Sequence, residues 1–233
     1  MSVLVARLLS LRQEFAIELQ RFVLLWRYQH HVPRFTLWWR LVLKRLVDVI
    51  GAVVGLLVFA PVMGLVALVI KMDSKGPVFY SQQRLGRFGE PFKMFKFRTM
   101  VVDAEAAGPV WWAGDHDPRM TRIGALLRRT HLDELPQLFH VLLGEMSLVG
   151  PRPERPHFVD ELAVAIPRYG ERLLVKPGMT GLAQVHYRYD TTIADVKRKL
   201  RFDLLYVKRM CVTLDARILA WTILVVLTGR GIR

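Results

Sequence analysis

Residues 46–70, LVDVIGAVVGLLVFAPVMGLVALVI, set the first limit on what this chain can fold into. A helix of about 20 apolar residues crosses the hydrocarbon layer of a bilayer, and no other stretch of the sequence is as long and as free of charge. Pro61 lies past the middle of the stretch. It removes one backbone hydrogen bond and crowds the carbonyl four residues earlier, so the sequence predicts a kink or break there. A spanning helix places its more basic flank on the cytoplasmic side. Here both flanks are basic, with Lys44 and Arg45 on one and Lys71, Lys75, Arg84, Arg87, Lys93, Lys96 and Arg98 on the other. Charge alone leaves two topologies open: a kinked span, and a helix that turns back at Pro61 and leaves on the side it entered.

Residues 1–45 carry eight Lys/Arg against two Glu, with Leu8, Leu9, Phe15, Leu19, Phe22, Val23 and Trp26 near helical spacing. That pattern predicts a basic amphipathic helix in the membrane interface, and no small-residue cleavage site marks it as a leader. The whole chain has 34 Lys and Arg against 20 Asp and Glu, a formal +14. Such an excess draws polyanions. A mean hydropathy of +0.25 argues against a simple nucleic-acid binder, whose affinity comes from solvated charge. Membrane plus phosphate is the pairing that fits both numbers. A single cysteine, Cys211, excludes an internal disulfide.

After Gly76 the texture is that of a compact soluble unit. PVFYSQQ (77–83) and FKMFKFRTM (92–100) read as strands flanking the Gly/Pro turn RLGRFGEP. On a two-residue period Lys96 and Arg98 share one face, which suits either a phosphate or solvent. A loop with Trp111 and Trp112 follows, then a short helix within 117–130, a helix ending at Gly144, a short strand and a loop fixed by Pro151 and Pro153 around Arg152. The segment DVKRKLRFDLLYVKRM reads as an amphipathic helix, and LDARILAWTILVVLTGRG carries an apolar run too short to span. The expected class is α/β and helix-rich, with one small strand hairpin. Its divisions are residues 1–43 (interfacial helix), 44–75 (membrane hairpin) and 76–233 (compact unit with C-terminal interfacial helices).

The stretch RTHLDELPQL places Asp133 beside Glu134, after Arg128 and Arg129 and ahead of Pro136. Adjacent helical residues point about 100° apart, so two such carboxylates divide labour rather than share a proton. If Asp133 caps a helix, the helix dipole and the arginines lower its pKa and keep it ionised. An ionised aspartate can attack phosphorus while a second carboxylate holds Mg²⁺. Within these ten residues an ordinary capping Asp followed by a first-turn Glu is the favoured reading, because such caps are abundant. The seven histidines form no zinc spacing, and Asp115-His116-Asp117 sits in a Gly/Pro loop where turn chemistry accounts for it. No phosphate-cradling Gly-rich loop is present. Arg152, with proline on both sides, presents its guanidinium at low entropic cost for bidentate phosphate binding. Lys176 before Pro177-Gly178 follows the same logic, and Arg188 is a further phosphate-binding candidate.

In order, KRLVDVIGAVVGLLVFAP, GPVFYSQQRLGRFGEPFKMFKFRTM, LRRTHLDELPQLFHVLLGEMSLVGPRPE, KPGMTGLAQV and FDLLYVKRMCVTLDARIL resemble the bacterial sugar transferase family, over roughly residues 40–233. These are the monotopic phosphoglycosyl transferases that begin exopolysaccharide and O-antigen synthesis at the bacterial inner membrane, facing the cytoplasm. The resemblance implies transfer of a sugar 1-phosphate from a UDP-sugar to undecaprenyl phosphate, with UMP released. It implies that Asp133 is the nucleophile, that Glu134 joins it in holding Mg²⁺, and that Arg128 and Arg152 lie near the site. It further implies that Pro61 breaks the membrane helix into a re-entrant one. Three positions depart from the family pattern: Ala60 and His131 stand where serine is common, and Lys176 where arginine is frequent. Membrane lipid and the two substrates are the expected partners, nucleic acid is not, and a homodimer is left open. A rival reading is a basic membrane-tethered scaffold for anionic lipid or nucleic acid, which would not need the two carboxylates.

Overall fold

The computed structural model describes residues 34–102, 104, 117–187 and 192–228. The amphipathic pattern of residues 1–33, the Trp111-Trp112 loop with Asp115 and His116, and Arg188 lie outside them. The described residues open with one long helix, α1 (Arg34–Asp73), then a hairpin of β1 (Phe79–Leu85) and β2 (Pro91–Phe97). Next come α2 (Arg122–Thr130), a 3₁₀ turn (Leu132–Glu134), α3 (Gln137–Leu143) and β3 (Ser147–Val149). The remainder is α4 (Pro156–Ala165), a 3₁₀ segment (Tyr169–Leu174), β4 (Gly178–Thr180), α5 (Leu182–His186), α6 (Ile193–Arg209) and α7 (Val212–Thr228). The hairpin is antiparallel, pairing Phe79 with Phe97 and Leu85 with Pro91, while β3 and β4 form a short parallel pair. This is the helix-rich chain with one small hairpin that the sequence predicts, with β1 two residues later than the expected 77–83 and β2 starting one residue before and ending three residues before the expected 92–100.

The expected break at Pro61 is not found. Pro61 sits inside α1, whose helix also runs through the boundary drawn at residues 43 and 44. A proline costs one hydrogen bond and a local clash, and a helix long enough to supply the remaining bonds absorbs both by bending. Yet both halves of α1 rest on the same body. Ala52 is buried against Phe92, Met94, Leu138, Val141 and Met146, while Val66 and Ile70 are buried with Phe97 and Leu127. Each end is also pinned by polar contacts. Lys44 Nζ donates to Asp215 Oδ2 at 2.7 Å and to Val149 O at 3.1 Å, and Asp48 Oδ1 accepts from Ser147 Oγ at 2.9 Å and Leu148 N at 3.0 Å. At the other end Arg98 donates to Ser74 O at 2.8 Å and Lys75 O at 2.5 Å. Between them Leu57 and Val58 are 73% and 61% exposed. Only 11% of its most apolar stretch is buried within the protein, so the core leaves uncovered a helix that is long and apolar enough to cross a membrane.

Local chemistry explains where the later elements begin and end. Thr121 caps α2 by accepting from Gly124 N at 2.9 Å. That places its start at Arg122, after the Asp117–Arg119 turn, rather than at 117. A Cβ on Gly124 would collide with the Thr99 backbone, so only glycine lets α2 lie this close to the end of the hairpin. Gly144, at φ 86°, closes α3 in the left-handed region. Thr192 and Asp195 form a reciprocal capping box for α6. The largest buried cluster gathers Val149, Leu174, Val175, Leu182, Val185, Tyr206, Val207 and Ile218 from five elements and one connection. It ties β3 and the 3₁₀ segment to α5, α6 and α7.

Candidate active site

Asp133 lies in the 3₁₀ turn between α2 and α3 and is 5% exposed. The residue before that turn, His131, takes φ 57° and serves as the end of one helix and the start of the turn. A left-handed histidine is uncommon and turns the chain sharply, so Leu132 packs inward and Asp133 faces the hairpin. The His131 side chain makes no capping hydrogen bond there, as expected from the absence of a serine hydroxyl. Asp133 is not the cap of α3. Pro136 holds that position, and the aspartate sits a turn earlier, away from the ends of that helix's first amides.

Its charge is governed by burial rather than by a dipole. Burial, and then the neighbouring Glu134 carboxylate, push the Asp133 pKa up to about 6 against the pull of Lys96, Arg128 and Arg152. The sequence predicts a lowered value; the structure reverses the direction because the carboxylate accepts no capping amide and has lost its water. Lys96 feels the same environment. Burial holds its ammonium down at about 8, although Asp133 works in the opposite direction. Arg128 Nε donates to Thr99 Oγ1 at 3.0 Å, which aims the guanidinium along the end of β2. On Glu134, burial raises the pKa, but the charge of Arg152 and its hydrogen bond outweigh it and keep the carboxyl below its usual range. Arg152 Nη2 donates to Glu134 Oε1 at 2.6 Å. The Arg152 side chain is 48% exposed, leaving it within reach of a ligand.

The proline-fixed loop is anchored from beneath. Arg172 Nη2 donates to Arg152 O at 3.0 Å, and the same side chain forms a buried ion pair with Asp203, Nε to Oδ2 at 3.0 Å. The inward face of β1 adds a polar ladder. Arg84 Nη2 donates to Gln82 Oε1 at 2.5 Å, Gln82 Nε2 donates to the Tyr80 hydroxyl at 2.9 Å, and Lys96 stands over the Tyr80 ring. Arg84 also pairs with Glu154 across the loop at 3.5 Å. Burial, the main cause, brings its pKa down to about 10.

This constellation, on a chain that also carries a long apolar helix, has counterparts. Residues 39–229 match the family described as Bacterial sugar transferase.

The chain belongs to the bacterial sugar transferase family.

A UDP-N-acetylgalactosamine-undecaprenyl-phosphate N-acetylgalactosaminephosphotransferase of Aeromonas hydrophila is 42% identical over 191 residues, covering 82% of this chain and 45% of that protein. The exopolysaccharide production protein PSS of Rhizobium leguminosarum bv. phaseoli is 44% identical over 200 residues, covering 82% of this chain and 98% of that protein. A UDP-glucose:undecaprenyl-phosphate glucose-1-phosphate transferase of Escherichia coli (strain K12) is 42% identical over 183 residues, 78% of this chain and 39% of that protein. The chain thus spans less than half the length of two of these curated relatives and nearly all of the third.

Within this family member, the fold brings Asp133, Glu134, Arg128, Arg152 and Lys96 together. Arg98 does not join them: the strand ends at Phe97, the two-residue alternation lapses, and the guanidinium turns to the carbonyls that follow α1. Lys176 does not join them either. The β3–β4 pair holds its segment beside Arg45 and Asp48, on the α1 side of the body. Residues that sequence reading passed over are Arg84 and the Arg172–Asp203 pair. Alternation in FYSQQRL could have pointed to Arg84, since Tyr80, Gln82 and Arg84 share the face that Lys96 occupies opposite. Arg172 and Asp203 are 31 residues apart and carry no such signal.

Proposed function

We propose that this chain transfers a hexose or N-acetylhexosamine 1-phosphate from a UDP-sugar to undecaprenyl phosphate, through a covalent intermediate on Asp133, and releases UMP. The observation that carries the proposal is the convergence of Lys96, Arg128 and the Arg152–Glu134 pair on one buried carboxylate. An Asp133 oxygen attacks the phosphorus bonded to the sugar; the bond to the bridging oxygen breaks, and UMP departs with its electron pair. A phosphate oxygen of undecaprenyl phosphate then attacks that phosphorus, the acyl-phosphate bond breaks and the Asp133 carboxylate returns. One nucleophile serving two acceptors in turn gives ping-pong kinetics. With a pKa of about 6, Asp133 is ionised at neutral pH yet more basic than an exposed aspartate, which favours attack. Lys96, Arg128 and Arg152 face the charge that gathers on the phosphoryl oxygens.

Mg²⁺ takes one or two protein carboxylates and fills its remaining positions with water and substrate phosphates. Asp133 and Glu134 fit that demand, and no group of three or more His, Cys, Asp or Glu converges on a metal cage among the described residues. When bound, the ion would neutralise charge on the diphosphate. We place the enzyme at the bacterial inner membrane with its body on the cytoplasmic side and α1 entering and leaving on that side. That both ends of α1 are pinned to one body supports this topology. The apolar face of α1 would let the lipid acceptor approach from the bilayer.

The test combines the purified protein, undecaprenyl phosphate, Mg²⁺ and a panel of UDP-sugars, with UMP release as the readout and intact-protein mass as the record of the adduct. UMP should appear with one sugar donor, and a mass increase equal to that sugar phosphate should appear when the lipid is withheld. Asp133→Asn should abolish both, and UMP release by that variant at the wild-type rate would rule the mechanism out.

A further inference from the structure

Lys176, set apart from Asp133, lies in a second basic cleft. The cleft brings Lys44, Arg45, Arg87 and Lys176 together with Asp48, beside the apolar Leu41 and Met210. Three of the four cations are engaged. Lys44 pairs with Asp215, Arg45 donates to the last carbonyls of α3, Val141 O at 2.5 Å and Leu142 O at 2.7 Å, and Arg87 Nε donates to Leu174 O at 3.1 Å. Asp48 is engaged as well, its Oδ1 accepting from Ser147 and Leu148. Lys176 makes no hydrogen bond or ion pair among the described residues. Even with Asp215 counted beside Asp48, the cleft keeps an excess of two positive charges. Burial, with Arg45 next to it, outweighs the pull of Asp48 and holds the Lys176 ammonium below its ordinary value.

The cleft is separate from the carboxylate site, because none of the groups acting on Asp133 or Glu134 lines it. Its position also matters. Leu41, Lys44, Arg45 and Asp48 lie near the start of α1 on the side turned to the body, while Leu46 and Ile50, each 54% exposed, and Leu57, 73% exposed, lie on the opposite side. An anion seated at Lys176 would therefore stand at the level along α1 where the exposed apolar run begins, the level at which lipid phosphates lie. We propose that this cleft binds a phosphate ester, outside the reacting centre, presented either by an anionic membrane phospholipid or by a small soluble phosphate.

The full chain, purified in detergent and stripped of lipid, is titrated with dioctanoyl phosphatidylglycerol, with glycerol 3-phosphate and with dioctanoylglycerol, which lacks phosphate. One saturable site for phosphatidylglycerol is expected, with no binding of dioctanoylglycerol. Lys176→Gln should weaken that site about five-fold, the effect of one cation near a lipid phosphate. Lys176→Arg should restore it, and Lys208→Gln, which removes an exposed lysine outside the cleft, should match the wild type. Competition by glycerol 3-phosphate assigns the site to the free ester; its failure to compete assigns it to the lipid headgroup. Equal binding by the wild type and Lys176→Gln, equal loss in Lys208→Gln, or no saturable binding of either phosphate probe would overturn the proposal.

Discussion

Replacing Asp133 by asparagine should stabilise the metal-free protein while removing its proposed nucleophile. The side chain is 5% exposed, and its pKa rises from 3.8 to about 6 on folding. A raised carboxyl pKa means that the folded state holds a proton more tightly than the unfolded chain. Stability therefore falls as pH climbs from about 4 to about 6, by about 1.4 kcal/mol per pH unit, and the loss is complete above about 6. Across that window the loss comes to about 3 kcal/mol. Asparagine has nearly the same shape and does not titrate, so it escapes this loss. Thermal unfolding in detergent with EDTA should give Asp133→Asn a Tm about 5–10 °C above wild type at pH 8, for a chain of this length. At pH 4 the two curves should approach one another, because both side chains are then neutral. Mg²⁺ should narrow the gap at pH 8 by binding the wild-type carboxylate, since a ligand of the native state stabilises it. A difference independent of pH, or an asparagine variant less stable at pH 8, would refute the claim that desolvation dominates the charge on Asp133.

Three further outcomes follow from the contacts around that residue. Gly124→Ala places a methyl against the Thr99 backbone; it should cost about 1–3 kcal/mol and slow adduct formation by shifting Arg128 away from Thr99 Oγ1, as read by denaturant titration and single-turnover mass analysis. Arg152→Lys keeps the positive charge but loses the planar fork that holds Glu134; UMP release should fall on the order of ten-fold, with the larger share of the loss at low Mg²⁺. Asp203→Asn leaves Arg172 charged and buried without its partner; it should destabilise by about 3–5 kcal/mol, while Arg172→Met with Asp203→Leu should recover much of that, measurable by thermal unfolding.

Much of this arrangement was legible in the sequence where local chemistry decides it. The apolar run of α1, the hairpin with its Gly/Pro turn, the helix ending at Gly144 and the loop around Arg152 are each written in adjacent residues. So is the closeness of Asp133 and Glu134. The direction in which the Asp133 pKa moves was not legible, because desolvation depends on what packs over the turn, and Lys96, Arg128 and Arg152 arrive from three separate segments. Pro61 misled for a related reason: its local cost is fixed by the residue, but whether a helix breaks depends on the contacts that hold each half, here Ala52 on one side and Val66 and Ile70 on the other. Lys96 and Arg98 show the limit of periodicity. They alternate onto one face only while the strand lasts, and it ends between them.

The division of the basic residues into two groups bears on why the chain carries so much positive charge. Around Asp133 the cations are matched against two carboxylates, and Arg152 is paired before any substrate arrives. An incoming diphosphate there meets a nearly balanced site, so attraction comes from the remaining cations, Lys96 and Arg128, and from the removal of water as the site fills. Neutralising those two should weaken donor binding more than it weakens attachment to a membrane. Around Lys176 the balance is positive and the neighbours are apolar, which suits holding an anion in place rather than reacting with it. A single basic surface serving both purposes would let bound lipid compete with the nucleotide donor. On the two proposals, separation across the body would let the membrane be gripped at one end of α1 while the carboxylate under the hairpin stays open to phosphate chemistry.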